Sequence, residues 1–361
     1  MSGRLRHIDI ARGIGILLIV FGHNWIVSHE RGKLFNIIFS FHVPLFFFIS
    51  GLFFIPKIKI TNLIVAKFDS LLKPYFVSSV VWGIYYIINK RYSPAEYFLG
   101  VLYGSGHTIP WTPLWFLPHM WFIFVFLWCL SKMTHLESAS LVIKSIILFT
   151  LLIVGYYLVD VFWKVPLNVG GRSIQMFGKP LVLFGLPYSI DLALLSSFYF
   201  LTGFFVSEKV LNFKFNSYIL ILNLITFGLL HSFFDYTIDF NLRTYDNLVI
   251  STIEAFSGIY IIISIAYIVS KLSKVGDIFA YIGTGSLFIL IFHGYFQLKA
   301  FEILSAKMGG ELFYAGVIAF IAGFVIPLLT WEIIKSSDYL ALFWLPVKYN
   351  KLFKKLPVHH H

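Results

Sequence analysis

The chain alternates long apolar blocks with short polar connections. Blocks near 10–28, 35–56, 71–89, 113–131, 142–162, 187–207, 217–235, 248–270, 284–305 and 312–334 each run for about the length needed to cross the hydrocarbon of a bilayer as a helix. The fourth and sixth contain prolines. The stretch "SPAEYFLGVLYG" (93–104) is too short to span and predicts an interfacial or re-entrant segment. No domain-sized polar insert, low-complexity segment or convincing internal repeat separates the blocks. The first block has no small-residue cleavage site, so it predicts a retained helix rather than a signal peptide. The pattern predicts an all-α, polytopic integral membrane protein with about ten transmembrane helices.

Composition narrows the class. Of 361 residues, 58% are hydrophobic and only 12% charged, with mean hydropathy +0.83. A soluble domain averages about 25% charged residues, so a water-soluble fold is excluded. The net charge is +11. If the N-terminus is inside, most of the 28 Lys and Arg fall in inside connections or the C-terminal tail. That bias predicts both termini in the cytoplasm. Topology and anionic headgroups account for the basic balance, so no nucleic-acid partner is required. Residues 1–340 read as the transmembrane domain and 341–358 as a basic cytoplasmic tail. His359, His360 and His361 read as the remains of a purification tag. The single cysteine, Cys129, rules out a disulfide framework and reads as a buried packing residue. No metal site is predicted.

Ionisable residues inside such blocks are costly and mark candidate sites. The first block, "HIDIARGIGILLIVFGHNW", holds Asp9, Arg12 and His23. Arg12 and His23 are eleven residues apart, about three helical turns, which puts them on one face and about 16 Å apart along the axis. Asp9 is three residues before Arg12, within pairing reach. Gly13, Gly15 and Gly22 leave room for close approach by other helices or a ligand. In the second block, "SFHVPLFFFISG", Pro44 interrupts the helical ladder near His42 and frees carbonyls that must line a cavity or be capped. His293, Glu254 and Asp191 lie inside the ninth, eighth and sixth blocks. Each suits either a substrate contact or a helix–helix hydrogen bond. His119 and His231 have only their location to mark them.

"RLRHIDIARGIGILLIVFGH" followed by "FHVPLFFFISG" resembles the acyltransferase-3 family of membrane acyltransferases, and more closely its fucose 4-O-acetylase-like branch. The family signature of Arg, ten residues, then His falls on Arg12 and His23. "KFDSLLKPYF" (67–76), "PLWFLPHMWFIFVF" (113–126) and "GTGSLFILIFHGYF" (283–296) resemble later family segments in the same order. The resemblance implies ten spans with cytoplasmic termini in a bacterial inner membrane. It also implies acetyl transfer from acetyl-CoA to a hydroxyl of a cell-surface polysaccharide (exopolysaccharide, capsule or O-antigen) or its lipid-linked precursor. The expected partners are therefore acetyl-CoA, the glycan acceptor and membrane lipids, with an oligomer possible.

Acyl transfer to a hydroxyl needs a base, a polarised carbonyl and close alignment. His23 is the candidate base, with Asp9 orienting Arg12, and His42, in a resembling motif just before Pro44, is a further candidate. Direct transfer and a covalent acetyl-enzyme both remain open. Arg12, Lys67 and Lys73 are candidates for the CoA phosphates. Trp115, Phe116, His293, Glu254 and Arg172 are candidate substrate contacts. The competing reading is a transporter or flippase of a glycan or glycolipid, which also places polar groups along a bundle interior. The paired broken helices and inverted repeats of such carriers are not evident.

Overall fold

The computed structural model describes residues 5–169, 171–176, 178–308 and 311–347. It is 73% helical, and the protein is an all-α, polytopic membrane protein. Among the described residues, eight helices are long and apolar enough to cross a bilayer: Lys33–Gly51, Ile60–Ile88, Thr112–Thr134, Leu141–Leu158, Pro187–Phe205, Ile250–Val269, Ser286–Lys307 and Leu312–Ser336. Two further expected spans correspond to helices of 17 residues, Arg6–Gly22 and Ser217–Phe233. The helix Pro94–Tyr103 stays short, opened by a Ser93–Glu96 capping box and closed at left-handed Gly104. Arg4 and the tail from residue 348 onward, including Lys348, Lys351, Lys354, Lys355 and the three terminal histidines, lie outside the described residues.

The helices group into two compact units. One holds the chain up to Phe54 together with Phe198–Trp331; the other holds Ile55–Ser197 and the chain from Glu332.

In the first unit, the helix Arg6–Gly22 packs against a helix that the hydropathy pattern misses, Ser273–Thr284. Its 12 residues are too few to span, and the apolar spacing Val275, Ile278, Phe279, Ile282 is that of an amphipathic helix. The two backbones touch through glycine. A Cβ on Gly13 would overlap the Phe279 carbonyl oxygen, and one on Gly283 would overlap the Asp9 carbonyl oxygen. Gly51 and Gly203 form a second such crossing, against the Phe200 and Phe48 carbonyls. Small residues let helices approach closely where lipid offers no hydrophobic drive between them. Gly15 is filled by Leu45 and Phe46, and Gly22 by Ile38 and Phe39. At Gly13, Gly15 and Gly22 the close approach expected of the first helix is made by neighbouring helices.

The second unit contains an unexpected fold in the connection 163–184. Leu167, Ile174 and Leu181, seven residues apart, close a ring of backbone hydrogen bonds. Leu167 N–H donates to Leu181 O (2.9 Å), Ile174 N–H to Leu167 O (2.9 Å) and Leu181 N–H to Ile174 O (2.8 Å). Two small hairpins rise between them, Asn168–Val169 with Arg172–Ser173 and Gln175–Met176 with Lys179–Pro180. Gly171 and Gly178 both adopt φ +75°, which glycine alone tolerates freely. The sequence thus carries a short seven-residue repeat after all, too small to register as a domain repeat. Cys129 also departs from expectation. It is exposed on the helix Phe116–Thr134, where its small apolar thiol meets lipid at little cost.

Candidate active site

The first helix ends earlier than its hydrophobic run. It stops at Gly22, His23 takes the C-cap position, and a four-residue helix, Trp25–Ser28, follows. Asn24 makes the break. Its Oδ1 accepts the Ile26 amide (3.0 Å) as an N-cap, and its Nδ2 donates to Gly316 O (3.0 Å). Asn24 is fully buried. Replacing it with alanine leaves an orphaned amide and carbonyl and should destabilise the protein by about 1–3 kcal/mol. Thermal unfolding of the detergent-solubilised variant measures this. An unchanged midpoint would show the break to be held by other contacts.

The break leaves His23 exposed, with its ring against two buried partners. The His293 ring lies 5.5 Å away, edge-on, and the Phe39 ring 5.6 Å away. Phe39 in turn meets His42 at 4.6 Å. His42 and His293 are both buried, and His23 acts electrostatically on each. The three histidines come from the first helix, the second helical pair and the helix Ser286–Lys307, and only the fold brings them together.

All three rings are tethered alike. The Nδ1 of His23 lies 2.9 Å from Ile19 O, that of His42 2.9 Å from Ile38 O, and that of His293 2.9 Å from Ile289 O. A carbonyl oxygen only accepts, so Nδ1 carries the proton, and in the neutral ring Nε2 is left with its lone pair. The Nε2 of His293 is buried without a hydrogen-bond partner among the described residues. The helical break also differs in detail from the sequence reading. It falls at Phe41 (φ −142°), and Pro44 lies in the first turn of the following helix, His42–Gly51. The carbonyl freed at Ile38 is capped by the His42 ring itself.

Toward the other end of the first helix, Arg12 pairs with Asp9 at 3.7 Å, and its guanidinium lies 5.1 Å from the Phe53 ring centre. Asp9 is buried. Eleven residues separate Arg12 from His23, about 16 Å along the axis.

Other predicted residues have local roles of their own. Glu254 is fully buried, 3.7 Å from His231 Nδ1, and neither of its oxygens has a hydrogen-bond partner among the described residues. Nearby, Lys33 Nζ donates to His231 O (2.6 Å) and pairs with Asp235 (2.8 Å). The Lys33 ammonium, with Asn36, holds the Asp235 carboxyl below the usual carboxylate range. That tie is therefore in place at neutral pH and is lost only as pH falls through the depressed value.

Lys67, Lys73, Trp115, Phe116 and Arg172 belong to the second unit. Lys67 Nζ sits 3.5 Å above the Phe124 ring. Lys73 is paired with Asp69 and donates to Leu345 O (2.6 Å). Trp115 is buried, its ring 5.6 Å from His119, and Phe116 stands next to it at 6.1 Å. Arg172 is exposed at a hairpin tip. Asp191 accepts the Leu186 amide at 2.8 Å. His119, unmarked by any motif, is buried between Tyr188 O (2.9 Å) and Ser196 Oγ (2.8 Å).

An Arg and a His eleven residues apart thus lie on the first helix, with His293 and, through Phe39, His42 gathered at the His end. The sequence model of the acyltransferase-3 family, described as an acyltransferase domain, matches residues 5–333. The chain belongs to this family. As an acyltransferase-3 protein, it is a multi-pass membrane acyltransferase. The match takes in both units and every candidate site residue. Neither the curated proteins nor the solved structures give a match.

Proposed function

We propose that this acyltransferase moves an acetyl group from acetyl-CoA to a hydroxyl of a cell-surface polysaccharide or its lipid-linked precursor, in a bacterial inner membrane. His23 is the general base. The observation that carries this reading is the tethered histidine cluster. A single exposed imidazole, with Nδ1 anchored and Nε2 open, is prepared to accept a proton from a hydroxyl.

In the proposed step, His23 Nε2 takes the hydroxyl proton as the acceptor oxygen attacks the acetyl carbonyl. The thioester C–S bond breaks, and the departing CoA sulfur takes the proton back from Nε2. No protein nucleophile is needed. His293, whose Nε2 has no hydrogen-bond partner among the described residues, suits a neighbouring hydroxyl, which favours a polyol acceptor. The distance between Arg12 and His23 suits a donor with phosphates and thioester at opposite ends of an extended arm. Arg12 meets the phosphates, and Asp9 orients Arg12.

Purified protein incubated with acetyl-labelled acetyl-CoA and a panel of neutral and anionic glycans tests the reading. The expected result is label in the glycan as an alkali-labile ester. Label in no acceptor, with acetyl-CoA left unbound, would contradict it.

A further inference from the structure

The helix Ser286–Lys307 runs beside the first helix in the same direction. Just before it, Gly283 packs on Asp9 and Gly13, and further along His293 reaches His23. One turn past His293 stands Gln297, on the same side of the helix, since residues four apart share a face. It is buried, only 5% exposed. Its side chain lies across Gly323 of the helix Leu312–Ser336. A Cβ at that glycine would stand 3.0 Å from Gln297 Oε1 and 3.0 Å from Val20 Cγ1. Val20 comes three residues before His23 and eight after Arg12. Gln297 therefore belongs to the His23 end of the first helix.

A polar side chain in an apolar helix ordinarily bonds to the next helix. Gln297 Oε1 does not. It is buried with no hydrogen-bond partner among the described residues, and the helix it meets presents a glycine there, with no side-chain donor. His293 Nε2, one turn back, is buried and open in the same way. Buried polar atoms left open cost free energy that a bound group recovers. The chemistry of the two residues says which group. His293 Nδ1 is occupied by the carbonyls of Ile289 (2.9 Å) and Leu290 (3.0 Å), so Nε2 offers a lone pair. A carboxamide has an acceptor oxygen and a donor NH2, and a half-turn exchanges them. One hydroxyl satisfies both residues, donating its hydrogen to Nε2 while its oxygen accepts from the carboxamide. An ether or a methyl group has no hydrogen to give Nε2. The ring centres of His23 and His293 are 5.5 Å apart, a separation that a single sugar unit spans.

We propose that Gln297 and His293 form the subsite for a second hydroxyl of the acceptor, next to the one that His23 deprotonates. Gln297 is then a specificity-determining residue, selecting acceptors with neighbouring hydroxyls. This rests on acetyl transfer to a glycan with His23 as base.

The test is the kinetics of acetyl transfer by the full-length protein in detergent, using the glycan of the panel above that takes most label. Gln297→Leu keeps the volume and removes both polar ends. The KM for the glycan should rise about 10-fold, the loss of one hydrogen bond, with the KM for acetyl-CoA unchanged. The unfolding midpoint should not fall, because leucine leaves no polar atom open. Both residues hold one hydroxyl, so the double variant with His293→Gln should raise the glycan KM by less than the product of the single effects. Glycerol should inhibit wild-type labelling of the glycan more strongly than propane-1,3-diol, which has no neighbouring hydroxyls, and Gln297→Leu should erase that difference. An unchanged glycan KM, or a rise matched by the KM for acetyl-CoA, overturns the subsite. If Gln297→Leu is not recovered folded, Gly323→Ala carries the test. Its methyl must push the carboxamide aside, the same selective rise is expected, and none again overturns the subsite. Normal wild-type transfer with unmoved constants in Gln297→Leu defeats this inference alone. Wild-type protein that labels no glycan defeats the function beneath it, and the subsite falls with it.

Discussion

Gly283→Ala is expected to destabilise the protein by about 3 kcal/mol, against the usual sign for such a change. In an ordinary helix interior, alanine is better than glycine by about 1 kcal/mol. Here the added methyl falls on the Asp9 carbonyl oxygen, across the glycine crossing between Ser273–Thr284 and the first helix. Backbone cannot yield as a flexible side chain does, so the helices must separate or the strain must stay. Gly13 is locked in the reciprocal position, with Phe279 O and Gly283 N as its neighbours, so the crossing has no slack on either side. Gly228→Ala is the control. Nothing lies within 4 Å of a Cβ at that position, and this variant should be neutral or slightly stabilised. Thermal unfolding in detergent separates the two. Equal midpoints would mean the crossing is looser than the contacts indicate. Gly283→Ala should also lower activity, because the helix it pushes on, Arg6–Gly22, carries Arg12 and presents His23.

The three histidines should prove unequal in catalysis. His23→Gln is expected to reduce transfer by about 10²–10⁴-fold, the usual contribution of a general base. His293→Gln and His42→Gln should cost about 10-fold each, since both rings are buried and act around the base rather than as the base. Initial rates at saturating acetyl-CoA for the three variants rank them. If His293→Gln or His42→Gln matches the loss in His23→Gln, the base is elsewhere in the cluster.

Much of the architecture was legible because lipid imposes a simple rule. A spanning segment must satisfy its backbone internally, so helices announce themselves by length and apolarity. The sequence also marked Arg12 and His23 by their spacing, and Asp9 does pair with Arg12. What it concealed follows from where hydropathy is silent. The helix Ser273–Thr284 is too short and too amphipathic to register as a span, yet it is the main packing partner of the first helix. Asn24 looks like one polar residue in an apolar run, but its two hydrogen bonds end the helix there and leave His23 exposed. The proximity of His42 and His293 to His23 is a long-range property that no local pattern encodes. His231 and His119 carried no motif at all. Only the pairing of the first with Glu254 and of the second with Ser196 distinguishes them.

Acetyl-CoA binding and acetyl transfer, measured side by side on wild type and His23→Gln, test the central claim most directly. His23 is assigned to chemistry and not to holding the donor phosphates about 16 Å away. The account predicts an unchanged Kd for acetyl-CoA together with transfer to a glycan hydroxyl lowered by at least about 100-fold. Wild-type transfer by His23→Gln at the same Kd would contradict it.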